Sequence, residues 1–238
     1  KARDEMRKVI NKIDDNEYDL IIDMQNNLKS AFLSFMCKSP VAGLDAKSAR
    51  EYPAHLAYKN KSRVPKDMHA VERQKHLLAS ALGYKTNLAN RDYGISKANF
   101  RKPKKYHFSK YAICVQNASW TTKQWPIESW KELLRILEQR DLNLLFPSGN
   151  QAEFERASEI CSISEKAHAL EVLPLDEVAF LIDNSEFSLC SDTGLAHLSA
   201  VVSTPSLTLY GPTDTNLIGT YGKDQNHLVS PDSNISKI

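Results

Sequence analysis

The chain has 238 residues, of which 42% are hydrophobic and 25% charged, and a formal net charge of +2; this composition excludes an intrinsically disordered chain. It has no run of about 18 apolar residues, and its charged N-terminus, KARDEMRKVINKIDD, does not match a signal peptide. We therefore expect a cytoplasmic protein with two α/β lobes.

The first half of the chain alternates helix and strand patterns. An amphipathic helix around Asp4–Ile13 precedes an apolar stretch at 18–23 that predicts a short buried strand. A Rossmann-like lobe normally begins with a strand and a Gly-rich loop, and no such loop precedes this helix. We therefore expect the first strand of this lobe to be missing from the sequence. Further helices are predicted at 29–37, 48–58 and 67–82, the last with Asp67 as N-cap and Gly83 as its stop.

The boundary between the two predicted lobes falls in a basic segment. The stretch NFRKPKKYHFSK contains a proline and has no apolar period. We predict an N-terminal lobe over 1–97, a linker over 98–110 and a C-terminal lobe over 111–238.

The second half of the chain shows a regular alternation of apolar strands and helices. Continuous apolar strands separated by helices of three or four turns are typical of a parallel sheet covered on both faces. The predicted strands are 111–116, 142–146, a short one near 169, 187–190 and 206–210, and the predicted helices are 127–139, 152–161, 176–182 and 195–201.

Charge is distributed unevenly along the chain. Residues 1–110 contain 23 Lys and Arg against 12 Asp and Glu, a net charge of +11, whereas residues 111–238 have a net charge of −9. This asymmetry predicts that the first half meets an anionic partner. The alternative is a set of solvated lysines without a partner.

The cysteines indicate neither a disulfide framework nor a zinc site. Cys37, Cys114, Cys161 and Cys190 are far apart in sequence, and two of them lie within apolar strand patterns. We predict reduced, structural thiols.

The sequence SDTG follows a predicted strand and opens a helix, which predicts an anion site. With Asp192 near the N-cap, the N–H groups of Thr193, Gly194 and Leu195 would be unpaired at the positive end of the helix dipole. His197, one turn along, would face the same space. The alternative readings are ordinary helix capping for Asp192, Thr193 and Gly194 and a packed histidine for His197.

Other strand ends supply further polar groups. Lys123 offers a cation on the loop that leaves the first strand of the second half, where Ser119 offers a hydroxyl. Glu153 stands in the first turn of the next helix, where a carboxylate can accept hydrogen bonds from a ribose diol. Glu153 is equally explained as a first-turn carboxylate that interacts with the helix dipole.

Taken together, these motifs resemble a known family. The run SDTGLAHLSAVVSTPSLTLYGPTDTNLIGTYGKDQ, with YDLIIDMQNNLKSA, AREYPAHLAYKNK, HAVERQKHLLASALGY, TKQWP and SGNQAEFERA, resembles the bacterial lipopolysaccharide heptosyltransferases of glycosyltransferase family 9. Within that family, the LYGPTD ending resembles the type I branch. The resemblance covers nearly the whole chain.

The resemblance implies a GT-B enzyme of two Rossmann-like lobes with parallel sheets. It implies an inverting, metal-independent transfer of L-glycero-D-manno-heptose from ADP-heptose to a Kdo residue of Kdo-lipid A, with no cofactor. The residues implied for the donor are Ser119, Lys123, Glu153, Leu173 (to the adenine, through its backbone), Asp192, Thr193, Gly194 and His197. Those implied for the acceptor are Lys29, Arg50 and Arg73. The location implied is cytoplasmic, peripheral to the inner membrane, with a monomeric protein and no nucleic-acid partner.

Three departures from the family pattern matter. Ala118 stands where the family commonly has Thr, and Asn26-Asn27 replaces the usual Gly-Leu. The general base of the family is an Asp in a loop after the first strand, a segment that this sequence does not contain, so no catalytic residue is assigned. We therefore expect the chain to bind ADP better than it turns over.

Three alternatives stay open at the level of sequence. The first is the type II branch or another ADP-heptose transferase, including a protein heptosyltransferase. The second is a non-catalytic module that binds a nucleotide sugar. The third and weakest is nucleic-acid binding through 101–105, which has few aromatic side chains for stacking.

Overall fold

We analysed a computed structural model of the chain, which describes residues 2–118 and 120–238. The chain divides into two compact units, Lys1–Asn90 and Arg91–Ile238. Each unit has its own parallel sheet. The α/β fold is confirmed: the second unit has the parallel sheet that the alternation predicts, and the first unit has a parallel sheet as the resemblance implies.

The first unit is built on a three-stranded parallel sheet in the order β1-β2-β3. Its elements are α1 (Ala2–Asp14), β1 (Ile21–Ile22), α2 (Leu28–Phe35), β2 (Val41–Leu44), a 3₁₀ helix (Tyr52–Ala57), β3 (Asn60–Ser62) and α3 (Ala70–Leu82). One small apolar cluster includes Ala31, Val41 and Tyr58. A second includes Leu44 and Leu77.

Several predictions for the first unit are wrong in detail. The strand predicted over 18–23 is only the two-residue β1, and the helix predicted over 48–58 is the shorter 3₁₀ helix. The N-cap of α3 is His69, whose ring Nδ1 accepts the Val71 N–H at 3.2 Å, rather than Asp67. The predicted stop at Gly83 is confirmed, since this residue has a left-handed φ of 72°.

The second unit is built on a six-stranded parallel sheet in the order β6-β5-β4-β7-β8-β9. Its strands are β4 (Tyr111–Val115), β5 (Asn143–Phe146), β6 (Ala167–Ala169), β7 (Ser188–Ser191), β8 (Ser206–Tyr210) and β9 (Gln225–Val229). Its α-helices are α4 (Ile127–Leu137), α5 (Gln151–Cys161), α6 (Leu175–Asp183), α7 (Gly194–Val201) and α8 (Thr215–Ile218). Three 3₁₀ helices complete it: Lys97–Asn99, Thr121–Lys123 and Ile235–Lys237.

This strand order is that of a Rossmann-type sheet. The chain runs from β4 outward to β5 and β6, then crosses to β7 on the other side of β4, so the topological switch point lies between β4 and β7. Alternate residues of β4 pack into different clusters, Tyr111 and Ile113 on one face and Ala112 and Cys114 on the other. The sheet is therefore covered on both faces, and its ligand-binding crevice is expected beside the ends of β4 and β7.

The segment 98–110, which we predicted to be a linker, packs with the second unit. Phe100, Tyr106 and Phe108 lie against the cluster formed around β4. Arg101 forms a bidentate pair with Asp176, and Lys105 Nζ lies 2.6 Å from Glu171 Oε2. The apolar side chains of this segment anchor it to the second unit, and Asp176 and Glu171 neutralise part of its positive charge. The spacing of these apolar residues is too irregular to predict a helix or a strand.

Two further features bear on the chemistry. All four cysteines are free thiols, as predicted, and three of them are buried. Within residues 2–118 and 120–238, no helix combines the length and the apolar character needed to span a bilayer.

Candidate functional site

A cleft of about 680 Å³ opens at the carboxyl ends of the central strands of the second unit. It is lined by the residues after β4 (Asn117, Ala118, Trp120 and Lys123), after β5 (Pro147, Ser148 and Gly149), after β7 (Asp192, Thr193, Gly194 and Leu195), and by Val115, Glu153, Leu173, Leu175 and Val178. Its lining combines apolar side chains with charged ones, and we call the part formed by Lys123, Asp192 and the N-terminus of α7 its charged end. Its position is the switch point, where open α/β sheets bind their ligands.

The charged end of the cleft contains an ion pair between two predicted site residues. Lys123 Nζ donates to Asp192 Oδ2 at 2.6 Å, with the two side chains 23% and 8% exposed. Thr213, from the loop after β8, donates its hydroxyl to the same carboxylate oxygen at 2.5 Å. The Lys123 ammonium also lies 5.8 Å from the centre of the Trp120 ring. The lysine is therefore held beside the cleft by a nearly buried partner.

The N-terminus of α7 faces the same end of the cleft, with one correction to its predicted capping. The N-cap is Thr193, whose Oγ1 accepts the Leu195 N–H at 3.1 Å, rather than Asp192. The Leu195 N–H is therefore not unpaired. A Cβ atom built on Gly194 would meet no atom within 4 Å, so the space beside this residue is open. A helix end of this kind favours an anion.

The loop that carries Lys123 is braced by side chains outside the cleft. Gln124 Nε2 donates to the carbonyl of Ala118 at 2.9 Å and so closes the loop on itself. Arg156 of α5 donates to Gln116 Oε1 at 2.5 Å and to the Trp125 carbonyl at 2.7 Å. Burial lowers the pKa of this guanidinium from its ordinary value. We did not predict the role of Arg156, because it contacts the loop across 31 residues of sequence.

Glu153 lines the cleft with its carboxylate largely engaged. Oε2 accepts the Gly149 N–H and the Asn117 amide, both at 2.7 Å, and Oε1 accepts the Asn150 amide at 2.9 Å. Asn150 is the N-cap of α5 and accepts the Glu153 N–H at 3.0 Å. The carboxylate thus orders the β5–α5 turn, and its predicted contact with a ribose stays a prediction.

The other predicted donor residues differ in their placement. Leu173 is half-buried and lines the apolar part of the cleft. His197 is exposed on α7 and is not among the residues that line the cleft. Ser119 lies outside the described residues. In the described part of the chain, no group of three His, Cys, Asp or Glu side chains is placed to hold a metal ion.

The first unit has a cleft of its own, of about 370 Å³. Its charged lining residues are Arg50, Lys66 and Arg73, so two of the three predicted acceptor residues come together there. Arg73 is partly engaged, since its Nη2 donates to the Ser48 carbonyl at 2.5 Å. Lys29, on α2, is exposed and does not line this cleft. Lys66 was missed because a lone lysine in a polar loop gives no sequence signal.

The departure at Asn26 is explained by the turn that borders this cleft. Asn26 has a left-handed φ of 52°, a conformation that asparagine adopts more readily than most residues. Its side-chain amide donates to the Asp23 carbonyl and accepts the Leu44 N–H, both at 2.8 Å. The buried Asp23 carboxylate accepts a hydrogen bond from the Tyr58 hydroxyl at 2.7 Å. Burial of Tyr58, together with this hydrogen bond, raises the pKa of the tyrosine. Asparagine therefore forms this turn at a position where the resemblance led us to expect glycine.

Comparison with known proteins shows which family this architecture belongs to. The model of glycosyltransferase family 9 (heptosyltransferase) matches residues 6–237. The chain belongs to glycosyltransferase family 9. Among curated members, lipopolysaccharide heptosyltransferase 1 of Salmonella typhimurium is 36% identical over 94% of this chain and 70% of its own length. The protein of that name from Pseudomonas aeruginosa is 37% identical over 95% of this chain and 63% of its own length.

Solved structures of a family 9 member have the same fold. The structure of E. coli heptosyltransferase WaaC with ADP has a TM-score of 0.90 and 33% identity, covering 99% of this chain and 74% of that chain. The structure of WaaC with ADP-2-deoxy-2-fluoro heptose has a TM-score of 0.88 and 32% identity, covering 99% of this chain and 73% of that chain. The GT-B fold class expected from the sequence is confirmed. The chain spans roughly two thirds of the length of its curated family 9 relatives, between 63% and 70% for the two named above.

Proposed function

We propose that this chain acts in lipopolysaccharide inner-core biosynthesis as a heptosyltransferase of type I. It transfers L-glycero-D-manno-heptose from ADP-heptose to a Kdo residue of Kdo-lipid A. Support comes from the family membership and from relatives named lipopolysaccharide heptosyltransferase 1 that are 36–37% identical across almost the whole chain.

The donor lies in the cleft of the second unit. One observation carries this assignment: the Lys123 ammonium and the N-terminus of α7 meet at one end of a cleft that lies at the switch point of the sheet. A pyrophosphate is the part of the donor that needs both a cation and backbone N–H groups. The adenosine then occupies the apolar part near Leu173 and Val178.

The cleft contributes to the reaction by accepting the charge of the leaving group. The acceptor hydroxyl oxygen forms a bond to the anomeric carbon of the heptose while the bond from that carbon to the diphosphate oxygen breaks. The electron pair leaves with ADP, and the hydroxyl proton passes to a general base. Lys123 and the helix end stabilise the developing negative charge without reorganising, because both are already in place.

The acceptor is bound by the cleft of the first unit. Arg50, Lys66 and Arg73 place three cations around about 370 Å³, which suits an acidic sugar. A lipid-linked acceptor requires the protein to work at the cytoplasmic face of the inner membrane, where we place it as a peripheral, monomeric protein. The reaction as proposed uses no metal ion.

Calorimetry with ADP and a transfer assay test these statements separately. We expect the protein to bind ADP and ADP-heptose, to bind UDP more weakly, and to bind ADP unchanged in the presence of EDTA. We also expect it to prefer Kdo-lipid A to heptosyl-Kdo-lipid A as acceptor. A preference for the heptosylated acceptor would instead favour the type II reaction, and absence of ADP binding would refute the donor site.

A further inference from the structure

The loop after β8 reaches the charged end of the cleft with one hydroxyl group. Thr213 Oγ1 and Lys123 Nζ donate to the same oxygen of Asp192, at 2.5 and 2.6 Å. The Asp192 side chain is 8% exposed, so water contributes little to stabilising its charge. A buried carboxylate of this kind depends on its donors. Thr213 and Lys123 are therefore linked through a single atom.

The sequence GPTD explains how this loop comes so close. A Cβ atom on Gly211 would lie 3.4 Å from the Thr122 carbonyl oxygen, an ordinary contact, so the loop packs beside the backbone next to Lys123; the tighter approach, 3.1 Å, would be to the Ser233 carbonyl oxygen. Asp214 caps α8 by accepting the Asn216 N–H at 3.0 Å. Of these side chains, that of Thr213 is the one directed at a cleft residue.

We propose that Thr213 is a positioning residue for the nucleotide-sugar donor. It fixes the Asp192 carboxylate, and the fixed carboxylate holds the Lys123 ammonium at the cleft. The inference rests on the proposed function and extends it to a residue of a loop that does not itself line the cleft.

The physical reason is the flexibility of lysine. A lysine side chain has four rotatable carbon–carbon bonds and loses rotamer entropy when it is fixed. An ammonium has three N–H donors, and a bond to Asp192 leaves others for phosphate oxygens. Fixing the ammonium before the ligand arrives shifts that cost from binding to folding. Without Thr213, Asp192 loses one of its donors and its hold on the lysine is looser.

The test compares Thr213→Val, Thr213→Ser and a matched control, Thr215→Val. Thr215 is the first residue of α8, two residues further along the chain, and no hydrogen bond from its hydroxyl occurs within the described residues. Affinities for ADP and for adenosine are measured by calorimetry, with melting temperatures recorded for every variant. Adenosine lacks the phosphates, so it reports on the rest of the cleft.

We expect Thr213→Val to weaken ADP binding about tenfold while adenosine binding changes less than about twofold. Thr213→Ser, which keeps the hydroxyl, and Thr215→Val should both bind ADP within about twofold of the wild type. In a Lys123→Met background, Thr213→Val should cause little further loss of ADP affinity, since the two residues act through one atom.

Two results would overturn the inference while leaving the donor site intact: wild-type ADP affinity in Thr213→Val, or equal losses for ADP and adenosine. Wild-type protein that binds no ADP would instead refute the proposed function, and the inference with it. If Thr213→Val does not fold, Thr213→Ala takes its place in both backgrounds and is judged by the same two results, because it also removes the hydroxyl that Asp192 accepts.

Discussion

The two clefts of this protein, which we propose to bind anionic ligands, arrange their charges differently. The cleft of the second unit is lined by one cation, Lys123, and two carboxylates, Glu153 and Asp192. That of the first unit is lined by Arg50, Lys66 and Arg73, with no carboxylate among the residues described there. A formally negative lining can still bind a diphosphate when the cation is fixed and a helix end supplies N–H groups. The first cleft also includes Ala70 at the N-terminus of α3, but its described lining has three cations and no carboxylate, so we expect net charge to dominate there.

The difference also revises the meaning of the charge asymmetry along the chain. Much of the excess in residues 1–110 belongs to 91–110, which contains seven Lys and Arg and one Asp. That segment belongs to the second unit, where Arg101 and Lys105 are paired with carboxylates. The charge that bears on an acceptor is therefore the local set in the first cleft rather than the total of the first half.

The largest expected effect comes from removing the cation of the second cleft. Lys123→Met should weaken ADP binding about 100-fold, because a charge-assisted contact is lost and Asp192 keeps an uncompensated charge. Calorimetry measures the affinity. Lys131→Met is the control, since Lys131 is paired with Glu128 and Glu159 and none of these three residues lines the cleft. Unchanged ADP affinity in Lys123→Met would contradict the donor assignment.

A smaller effect is expected from the first cleft. Arg50→Gln should weaken binding of Kdo-lipid A about tenfold and leave ADP affinity unchanged, because the exposed guanidinium faces only one of the two clefts. Arg63→Gln, at an exposed residue of the same unit that does not line the cleft, is the matched control. Surface plasmon resonance with immobilised acceptor gives the affinity. A loss of ADP binding in Arg50→Gln would mean that the roles of the units are reversed.

We expect salt to weaken acceptor binding and ADP binding to different extents. The Debye length falls from about 10 Å at 0.1 M to about 3 Å at 1 M, which screens exposed charges more than buried pairs. Over that range, we expect acceptor binding to weaken several-fold more than ADP binding, in titrations of each ligand at increasing NaCl. Equal salt dependence would show that the first cleft does not depend on net charge.

The smallest effect concerns the stability of the second unit against acid. His168 Nε2 lies 3.0 Å from Asn143 Oδ1 and its ring centre 4.5 Å from that of Phe108, and burial lowers the pKa of this histidine from 6.5. The unfolded chain therefore binds a proton more readily than the folded one, and the free energy of unfolding should fall as the pH drops below 6.5. Urea unfolding followed by tryptophan fluorescence reports on this unit, which holds all three tryptophans.

In His168→Asn this part of the pH dependence should disappear. His107→Asn is the control, because His107 is exposed. A pH slope that is unchanged in His168→Asn would contradict the assignment.

The strands of the second unit were predictable because each is a continuous apolar run between helices. Strands β4, β5 and β8 lie within two residues of their predicted bounds. In contrast, β3 is the polar tripeptide Asn60–Ser62, and β9 is largely exposed, so neither has a hydrophobic signal. β3 and β9 form because each pairs with a neighbouring strand, β2 and β8 respectively, and the local sequence of β3 or β9 carries no information about that pairing.

The candidate site followed the same division. Lys123, Asp192 and Gly194 were predictable, because strand ends of a parallel sheet converge and short polar motifs mark them. The partner of Asp192 was not, since nothing in GPTD indicates that Thr213 reaches back across 21 residues. Thr193 was identified as a site residue, but its role as N-cap was not predicted. Asp192 is paired with Lys123 instead of capping α7, and this long-range pair gives no signal in the local sequence.

The turn at Asn26 limits which residues can replace this asparagine. Glycine would relieve the left-handed backbone, yet it would also delete the amide that joins the turn to Leu44. An Asn26→Gly substitution would therefore leave the buried Leu44 N–H group without its acceptor, and the lost hydrogen bond would offset the gain from a less strained backbone.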